Sequence, residues 1–371
     1  MTALLSPLTI RNLTLKSRLV VSPMCQYSTR DGVVGDYHLA HLGRFALGGF
    51  AAVMMEATGV TAQGRITFGC PGLWSDAHIP GLARIVAFLK ANSAATGIQL
   101  AHAGRKASTL PPWLIGTGQT EPGAEEWEVV GPSAVPHDAG WLMPRALSET
   151  DIGDIVESFA AAARRALAAG FDTVEIHAAH GYLLHQFMSP VANHRTDHFG
   201  GSLDNRLRLP GMVMAAVRAA WPADRPLFLR LSATDGIAGG WDLPDAIALS
   251  RLARDNGVDV IDVSAGGFAG GVIPPRPGMF LDYAAAIRQA TGLHVMAVGL
   301  MGDVSLAAAA VESGQADLVA LGRAALDDPN WPLHAARALG RETSALWPKQ
   351  AGFAIDRWPA RPPAGEALRK T

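Results

Sequence analysis

Two histidines and a tyrosine follow an apolar run in the middle of the chain. His177 and His180 are three residues apart, and Tyr182 comes two residues later. A His-x-x-His pair leaving a strand can aim two N–H donors at a carbonyl or nitro oxygen, and a nearby phenol can deliver a proton to carbon. The pair is equally compatible with two structural histidines or with a zinc ion, which needs further ligands. Candidate third ligands for zinc are Cys25, His102 and Glu56.

Arg230 lies within another apolar run, where a charged side chain is unusual. A guanidinium is costly to bury without a partner, so Arg230 must face either a carboxylate or a ligand. Glu175 and Glu56 are the core carboxylates that the sequence offers for this pairing. The alternative is a ligand oxygen or a ring nitrogen that gains negative charge, and spacing alone favours neither.

Two glycines and an arginine follow the last two apolar runs. Gly299 ends one run, and Gly322 with Arg323 ends the other. Glycine lets backbone N–H groups approach a phosphate closely, and arginine adds a two-point clamp. The sequence therefore predicts a phosphate site, against the alternative of ordinary turn glycines beside a surface arginine.

Cys25 follows the first apolar run. Its lone thiol could be a nucleophile, a tuner of a redox group or a core filler. Core filler is the commonest fate of a free cysteine.

Eight short apolar runs alternate with helix-like patterns and must position these side chains. Each run has the length and the continuous apolar character of a strand that is buried on both faces. The predicted strands are 18–22, 51–56, 97–101, 173–177, 226–232, 259–264, 294–299 and 317–322. The predicted helices include 80–95, 148–169, 205–221, 243–256, 282–290 and 303–313. Several of these helices end at a glycine suited to the left-handed position after a helix.

Eight strands, each followed by a helix, predict an α/β fold made of a single (β/α)8 TIM barrel. The alternative is an open doubly wound sheet, which would place a Gly-x-Gly-x-x-Gly turn after its first strand. Ser22, Pro23, Met24 and Cys25 stand there instead. In a barrel the chemistry sits at the carboxyl ends of the strands, with a phosphate site commonly after strands seven and eight.

Three further segments complete the predicted architecture. Residues 8–16 alternate like a two-stranded hairpin around Arg11 and Asn12, which we expect to plug the barrel floor. Residues 110–143 form a long irregular loop after strand 3, and its tryptophans favour an ordered excursion. We expect the barrel to occupy residues 1–345 and an extended C-terminal tail to occupy 346–371.

Composition narrows the class of protein. The chain has 371 residues, of which 49% are hydrophobic and 17% charged, with a net charge of −2. This excludes a disordered chain and disfavours a nucleic-acid binder. Apolar runs fall short of the roughly 20 residues of a membrane span, and no signal peptide is expected. Two cysteines cannot build a disulfide framework, so a reduced cytoplasmic enzyme is the expectation.

The segment at 177–208, HAAHGYLLHQFMSPVANHRTDHFGGSLDNRLR, resembles the central motif of the old yellow enzyme family of flavin-dependent ene-reductases. SPMCQYS at 22–28, GRIT at 64–67, WSD at 74–76 and QLAHAGRKA at 99–107 resemble its thermophilic-like branch, and the long loop and tail are similar to the xenobiotic reductases. The resemblance covers essentially the whole chain. Phe199 departs from the pattern, because a tyrosine usually stands there.

The resemblance implies non-covalent FMN, with NADPH or NADH as reductant. The residues it assigns to the cofactor are Ser22, Pro23, Met24 and Cys25 along the flavin ring, Ala57, Gln99 and Arg230 on its pyrimidine edge, Gly299, Gly322 and Arg323 at the phosphate, and His177 between cofactor and substrate. It assigns the activating oxygen of the substrate to His177 and His180, the proton to Tyr182, and further substrate contacts to Tyr27, Arg357 and Trp358. No metal is implied.

The implied activity is reduction of activated C=C bonds of enones, with nitro compounds and quinones as further acceptors. The expected partners are small molecules and other copies of the chain in a homodimer or homotetramer, with neither nucleic acid nor membrane. Three rival functions are a flavin reductase acting on uridine in tRNA, a zinc hydrolase using the histidine pair, and a non-catalytic flavin-binding protein.

Overall fold

Eight parallel strands close into a barrel in the computed structural model, which describes residues 2–115, 126–341, 343–355 and 357–358. The strands are β1 (Leu19–Val21), β2 (Ala52–Gly59), β3 (Ala95–Ala101), β4 (Thr173–Ala178), β5 (Leu227–Ser232), β6 (Val260–Ser264), β7 (His294–Ala297) and β8 (Leu318–Leu321). Each lies within or across one of the predicted runs, so the predicted (β/α)8 barrel is confirmed. The strands are almost entirely buried, as strands covered on both faces must be.

Strand β2 carries an irregularity where the sequence places candidate site residues. Its register against β3 shifts between Met55 and Thr58. Such a shift re-aims the side chains beside it. Glu56 and Ala57 occupy the shifted positions, and both are buried.

Helices follow the strands and cover the barrel. They are Asp36–Leu47, Ile79–Ala91, Glu149–Ala168, Leu183–Met188, Leu203–Arg206, Arg208–Ala220, Leu243–Asp255, Leu281–Thr291, Val304–Glu312, Arg323–Asp327 and Trp331–Ala338. The six predicted helices are all present. Ser148 caps Glu149–Ala168 through the N–H of Asp151, as its capping motif predicts. The helix Asp36–Leu47 was not predicted, although it completes the unit after β1.

The N-terminal segment forms the expected hairpin. Leu8–Ile10 pairs antiparallel with Leu13–Leu15. Ile10 and Leu15 belong to one apolar cluster with residues at the amino ends of the barrel strands, such as Val20 and Phe228. The hairpin therefore packs at the end of the barrel opposite to the candidate site.

The tail is in part helical, not extended as predicted. Ser344–Leu346 forms a short 3-10 helix and Lys349–Ile355 an α-helix. In the long loop after β3, residues 126–143 hold the strand Val130–Gly131, which pairs with Arg145–Ala146. Residues 116–125 of that loop and 359–371 of the tail lie outside the described residues. Across the described ranges, no helix combines the length and the apolar character needed to cross a bilayer.

Candidate active site

The structure brings His177, His180 and Tyr182 together at the carboxyl end of β4. His177 Nε2 lies 3.4 Å from His180 Nδ1, and the two rings are nearly perpendicular. The ring of Tyr182 lies 5.0 Å from that of His177. A backbone turn sets this arrangement, because His180 and Gly181 both have positive φ, 59° and 69°. The three candidates thus form one polar cluster.

Both histidines are neutral hydrogen-bond donors near neutral pH. Burial first, and then the charge of Arg230, lowers the pKa of each ring well below its usual value. Nδ1 of His177 accepts the N–H of Ala179, which leaves its proton on Nε2. Nε2 of His180 lies 2.7 Å from the hydroxyl of Ser264. The described residues contain no group of three or more His, Cys, Asp or Glu that could hold a metal ion.

Tyr182 is a partly buried phenol that keeps its proton. Burial raises its pKa well above the usual value, and nearby Cys25 and Cys70 raise it further. The ammonium group of Lys106 lies 5.1 Å from the ring centroid. A phenol with so high a pKa is present as the acid at any physiological pH.

Contacts from several loops hold the turn that carries these groups. The N–H of His180 donates to Ser232 Oγ (3.0 Å), and the N–H of Gly181 donates to His185 Nδ1 (2.9 Å). Nζ of Lys106 donates to the carbonyls of His180 (2.9 Å) and Gly267 (3.0 Å). Burial, and then the charge of Arg105, lowers the pKa of Lys106 to about 8. Lys106 therefore ties the turn after β4 to the loop after β6.

Asp235 supports the same turn from behind. His185 Nε2 lies 2.9 Å from Asp235 Oδ1, and both side chains are fully buried. The other carboxylate oxygen accepts from Ser189 Oγ (2.6 Å) and from the N–H of Trp241 (2.9 Å). This aspartate and His185 were not among the predicted site residues, although a histidine within the segment 177–208 and a carboxylate directly after β5 were visible signals.

Cys25 and Tyr27 lie on the loop after β1, against the tyrosine of the turn. Tyr27 and Tyr182 pack in one cluster with Cys25, Cys70 and Ala57. Burial first, and then Cys70 and Glu56, raises the pKa of the Cys25 thiol well above its usual value. A neutral thiol is a poor nucleophile, which argues against that role for Cys25.

Glu56 holds the loop after β1 in place. Its Oε2 accepts the N–H of Gln26 at 2.7 Å, and its Oε1 lies 3.3 Å from Nε2 of His38. His38 comes from the helix Asp36–Leu47, the element that the sequence reasoning missed. The Cys25–Gln26 turn is thereby fixed against the irregular end of β2.

Arg230 finds its carboxylate partner on the neighbouring strand. β5 and β6 pair so that Arg230 stands opposite Asp262, and Arg230 Nε lies 3.2 Å from Asp262 Oδ2. Nη1 of Arg230 donates to Ser22 Oγ (3.3 Å), and Gln99 Nε2 donates to Glu175 Oε1 (2.8 Å). The ion-pair partner is thus neither Glu175 nor Glu56, the two that the sequence suggested.

A cavity of about 510 Å³ opens beside Arg230 at the carboxyl ends of β6, β7 and β8. Its lining includes Ser264, Gly299, Gly322 and Arg323. Gly299 has a φ of 100°, and a Cβ there would come within 2.7 Å of Phe280. The guanidinium of Arg323 has no hydrogen bond or ion pair within the described ranges, so its charge is free for an anionic group. The volume of the cavity, the backbone conformation at Gly299 and the unpaired guanidinium of Arg323 fit the phosphate end of FMN.

Arg357 and Trp358 do not join this cluster. Both are exposed, and Trp358 keeps 55% of its surface accessible. Their backbone N–H groups donate to Ala354 and Ile355 of the tail helix. Neither is among the residues that line the cavity or pack around Tyr182.

Comparisons with known proteins show which family of enzymes the chain is similar to. The family model of the NADH:flavin oxidoreductase / NADH oxidase family matches residues 3–342. An NADPH dehydrogenase of Geobacillus thermodenitrificans is 43% identical over 93% of this chain and 96% of its own, and one of Bacillus subtilis is 40% identical over 92% and 96%.

Solved structures of similar proteins have the same fold over most of this chain. Morphinone reductase superimposes with a TM-score of 0.76 at 28% identity, covering 92% of this chain and 91% of its own. A 2-naphthoyl-CoA reductase has a TM-score of 0.82 at 27% identity and covers 93% of this chain, which spans 53% of that longer protein.

Proposed function

Because the chain belongs to the NADH:flavin oxidoreductase / NADH oxidase family, that of the old yellow enzymes, and is therefore an FMN-dependent enzyme that oxidises NAD(P)H, we propose that it reduces the activated C=C bonds of enones. This membership excludes two of the rival functions, the zinc hydrolase and the non-catalytic flavin-binding protein. We take NADPH as the preferred reductant, because the curated relatives named above are NADPH dehydrogenases.

FMN, when bound, accepts a hydride from the nicotinamide and returns one to an electron-poor carbon. We assign its phosphate to Gly299, Gly322 and Arg323, on the glycine geometry and the free guanidinium described above. We assign its pyrimidine edge to Ala57, Gln99 and Arg230, and its ring to Ser22, Pro23, Met24 and Cys25. A cation at Arg230 stabilises negative charge gathered on that edge.

His177 and His180 bind the carbonyl oxygen of the substrate. Both rings are neutral, so each presents an N–H and neither can be lost to deprotonation in the physiological range. Two donors aimed at one oxygen stabilise the negative charge that develops there as hydride reaches the β carbon. Ser264 Oγ holds Nε2 of His180 until that oxygen arrives.

Tyr182 supplies the proton to the α carbon. Its phenol stands beside His177 and retains its proton because burial raises its pKa. Tyr27 packs in the same cluster and contacts the substrate. Cys25 tunes the cofactor and does not act as a nucleophile. Nitro compounds and quinones are further acceptors, since both offer an electron-poor acceptor and an oxygen for the histidine pair.

The proposed role of the tail concerns contacts between subunits. We propose that residues 1–345 form the FMN-binding barrel and that 346–371 form a tail whose Arg357 and Trp358 contact substrate in a neighbouring subunit of a homodimer or homotetramer. Both side chains are exposed on their own chain, which leaves them available to another copy.

The single observation that carries the proposal is the cluster of two neutral histidines and a protonated tyrosine at the mouth of a flavin-family barrel. It is tested by steady-state oxidation of NADPH and NADH under nitrogen, with cyclohexenone as acceptor and the saturated ketone identified as product. Nicotinamide oxidation that depends on the enone, with stoichiometric ketone, is the expected result. A yellow protein that oxidises nicotinamide only with oxygen would refute the choice of acceptor.

A further inference from the structure

Two buried carboxylates lie on the strands that flank Arg230. Glu175 on β4 and Asp262 on β6 are both fully buried, and Arg230 on β5 lies between their strands with 7% of its surface accessible. Asp262 takes the ion pair with Arg230 at 3.2 Å. Neither carboxylate has a role in the reaction proposed above.

The partners of Glu175 leave one of its oxygens unaccounted for. Oε1 accepts from the amide of Gln99, whereas Oε2 is buried and has no hydrogen-bond partner within the described ranges. Two negative charges against one positive charge would leave a net charge in the core, which is costly. A proton on one carboxyl group removes that cost. Within the described ranges, Oε2 of Glu175 and both oxygens of Asp262 lack a hydrogen-bond partner and could carry it.

The groups around Glu175 act in the same direction. Burial, and then the charge of Asp262, raises the pKa of Glu175 to about 8, against the opposing effects of Arg230 and Gln99. Burial also raises the pKa of Asp262. Its own strand adds His177, whose ring is neutral, and β3 faces Glu175 only with the uncharged amide of Gln99.

We propose that Glu175 and Asp262 hold one proton between them, and that the affinity of the pair for this proton depends on the charge of the group bound against Arg230. The inference rests on the proposed placement of the FMN pyrimidine edge at Gln99 and Arg230. When that edge becomes negative, Arg230 is partly neutralised from the cavity side and the carboxyl pair binds its proton more tightly. Reduction of the cofactor then draws a proton from solvent to the pair whenever the pair has lost it, while the nicotinamide supplies the hydride.

The first test detects the proton itself. Infrared difference spectra of FMN-loaded wild type and Glu175→Gln are compared from about pH 6 to about pH 10. A carboxylic acid band is expected in the wild type at low pH, fading as pH rises, and absent from Glu175→Gln. Asp317→Asn, which changes a carboxylate at the other end of the barrel, is the matched control and should keep the band. A wild type without the band at pH 6 overturns the proposal.

The second test measures proton uptake when bound FMN is reduced electrochemically. Near pH 9 the wild type should take up more protons per flavin than Glu175→Gln, by up to one, and near pH 6 the two should agree. Equal uptake at both pH values contradicts the proposal. Asp262→Asn serves if Glu175→Gln does not fold: it removes a charge that raises the pKa of Glu175, so the band should fade at a lower pH than in the wild type. A band that fades at the same pH as in the wild type would contradict the shared proton.

These outcomes are separable from those of the proposed function. A Glu175→Gln enzyme that turns over cyclohexenone and shares the wild-type band and proton uptake refutes the carboxyl pair alone. A wild type that fails to reduce enones refutes the proposed function, while the infrared band still reports whether the pair holds its proton.

Discussion

At the scale of single residues, the role proposed for the histidine pair requires both rings to be neutral, and burial lowers the pKa of each. Nδ1 of His177 is occupied by the N–H of Ala179, so its remaining donor is fixed. Removing one donor to a developing oxyanion costs about 3–4 kcal/mol. His177→Ala and His180→Ala should each slow enone reduction by about 10²–10³-fold and weaken phenol binding, with FMN retained. His198→Ala, an exposed histidine, is the control. Normal enone reduction by both variants would exclude the role.

The proposed role of Tyr182 as the acid predicts that its loss affects only one half-reaction. Tyr182→Phe removes the acid while keeping the ring that packs on His177. Flavin reduction by NADPH should stay nearly intact, and alkene reduction should fall by about 10²–10⁴-fold, the usual worth of one acid–base group. Stopped-flow absorbance follows both steps. Tyr283→Phe, on the helix Leu281–Thr291, controls for loss of a phenol. Equal slowing of both steps would make Tyr182 structural instead.

The candidate site residues could be predicted from the sequence, but most of their hydrogen-bond and ion-pair partners could not. His177, His180 and Tyr182 stand within six positions of the chain, so a strand end alone brings them together. Asp262 is different: it meets Arg230 only because β5 and β6 pair in a particular register. Ser264 reaches His180 by the same register, across 84 positions. Contacts of that kind are fixed by the closed barrel and leave no local signal.

At the scale of elements, the turn after β4 is held in its conformation by contacts from other elements. Lys106 bonds the carbonyls of His180 and Gly267 from the 3-10 helix Gly104–Lys106. Lys106→Met should remove both bonds, each worth roughly 1 kcal/mol, and lower kcat for enones about tenfold or more. Lys90→Met, at a half-exposed ion pair with Asp172, is the matched control. Unchanged kcat in Lys106→Met would mean that the turn holds its shape without this lysine.

Element type was predictable wherever the hydrophobic pattern was continuous. All eight barrel strands, the hairpin and six helices follow from runs and caps that lie within single segments. The helix Asp36–Leu47 was not predicted because two buried histidines and a glycine interrupt its apolar face. The helical tail segment Lys349–Ile355 escaped because the Pro- and Arg-rich residues after it suggested an extended chain.

At the scale of the whole molecule, Asp317 makes charged contacts at the amino end of the barrel, far from the site. Asp317, just before β8, accepts from Arg288 and from the N–H of Val295, and His294 lies 3.5 Å away. Burial raises the pKa of Asp317, but the bonds from His294 and Arg288 outweigh it and hold that pKa well below the usual value. The ionised carboxylate therefore stabilises the folded state.

Asp317→Asn should lower the free energy of unfolding by about 1–3 kcal/mol near pH 7. A carboxyl group whose pKa is depressed on folding stabilises above the unfolded value, near 3.9, and this stability is lost as pH falls toward the folded value. The gap between wild type and variant should therefore be constant from about pH 5 to 7 and shrink below about pH 4. Urea denaturation measures it. Asp282→Asn, at an exposed ion pair, should change little, and a gap that widens in acid would reverse the assignment.

For the whole enzyme we propose that hydride passes through the site to the β carbon of an enone and that the α carbon takes a proton from Tyr182. Reduction of excess cyclohexenone with NADPH that carries deuterium in the transferred position tests it, with the product read by NMR. We expect deuterium on the β carbon when the solvent is ordinary water, and deuterium on the α carbon when the solvent is heavy water and the NADPH is unlabelled. Nicotinamide deuterium on the α carbon, or a saturated product whose β hydrogen comes from the solvent, would contradict the account.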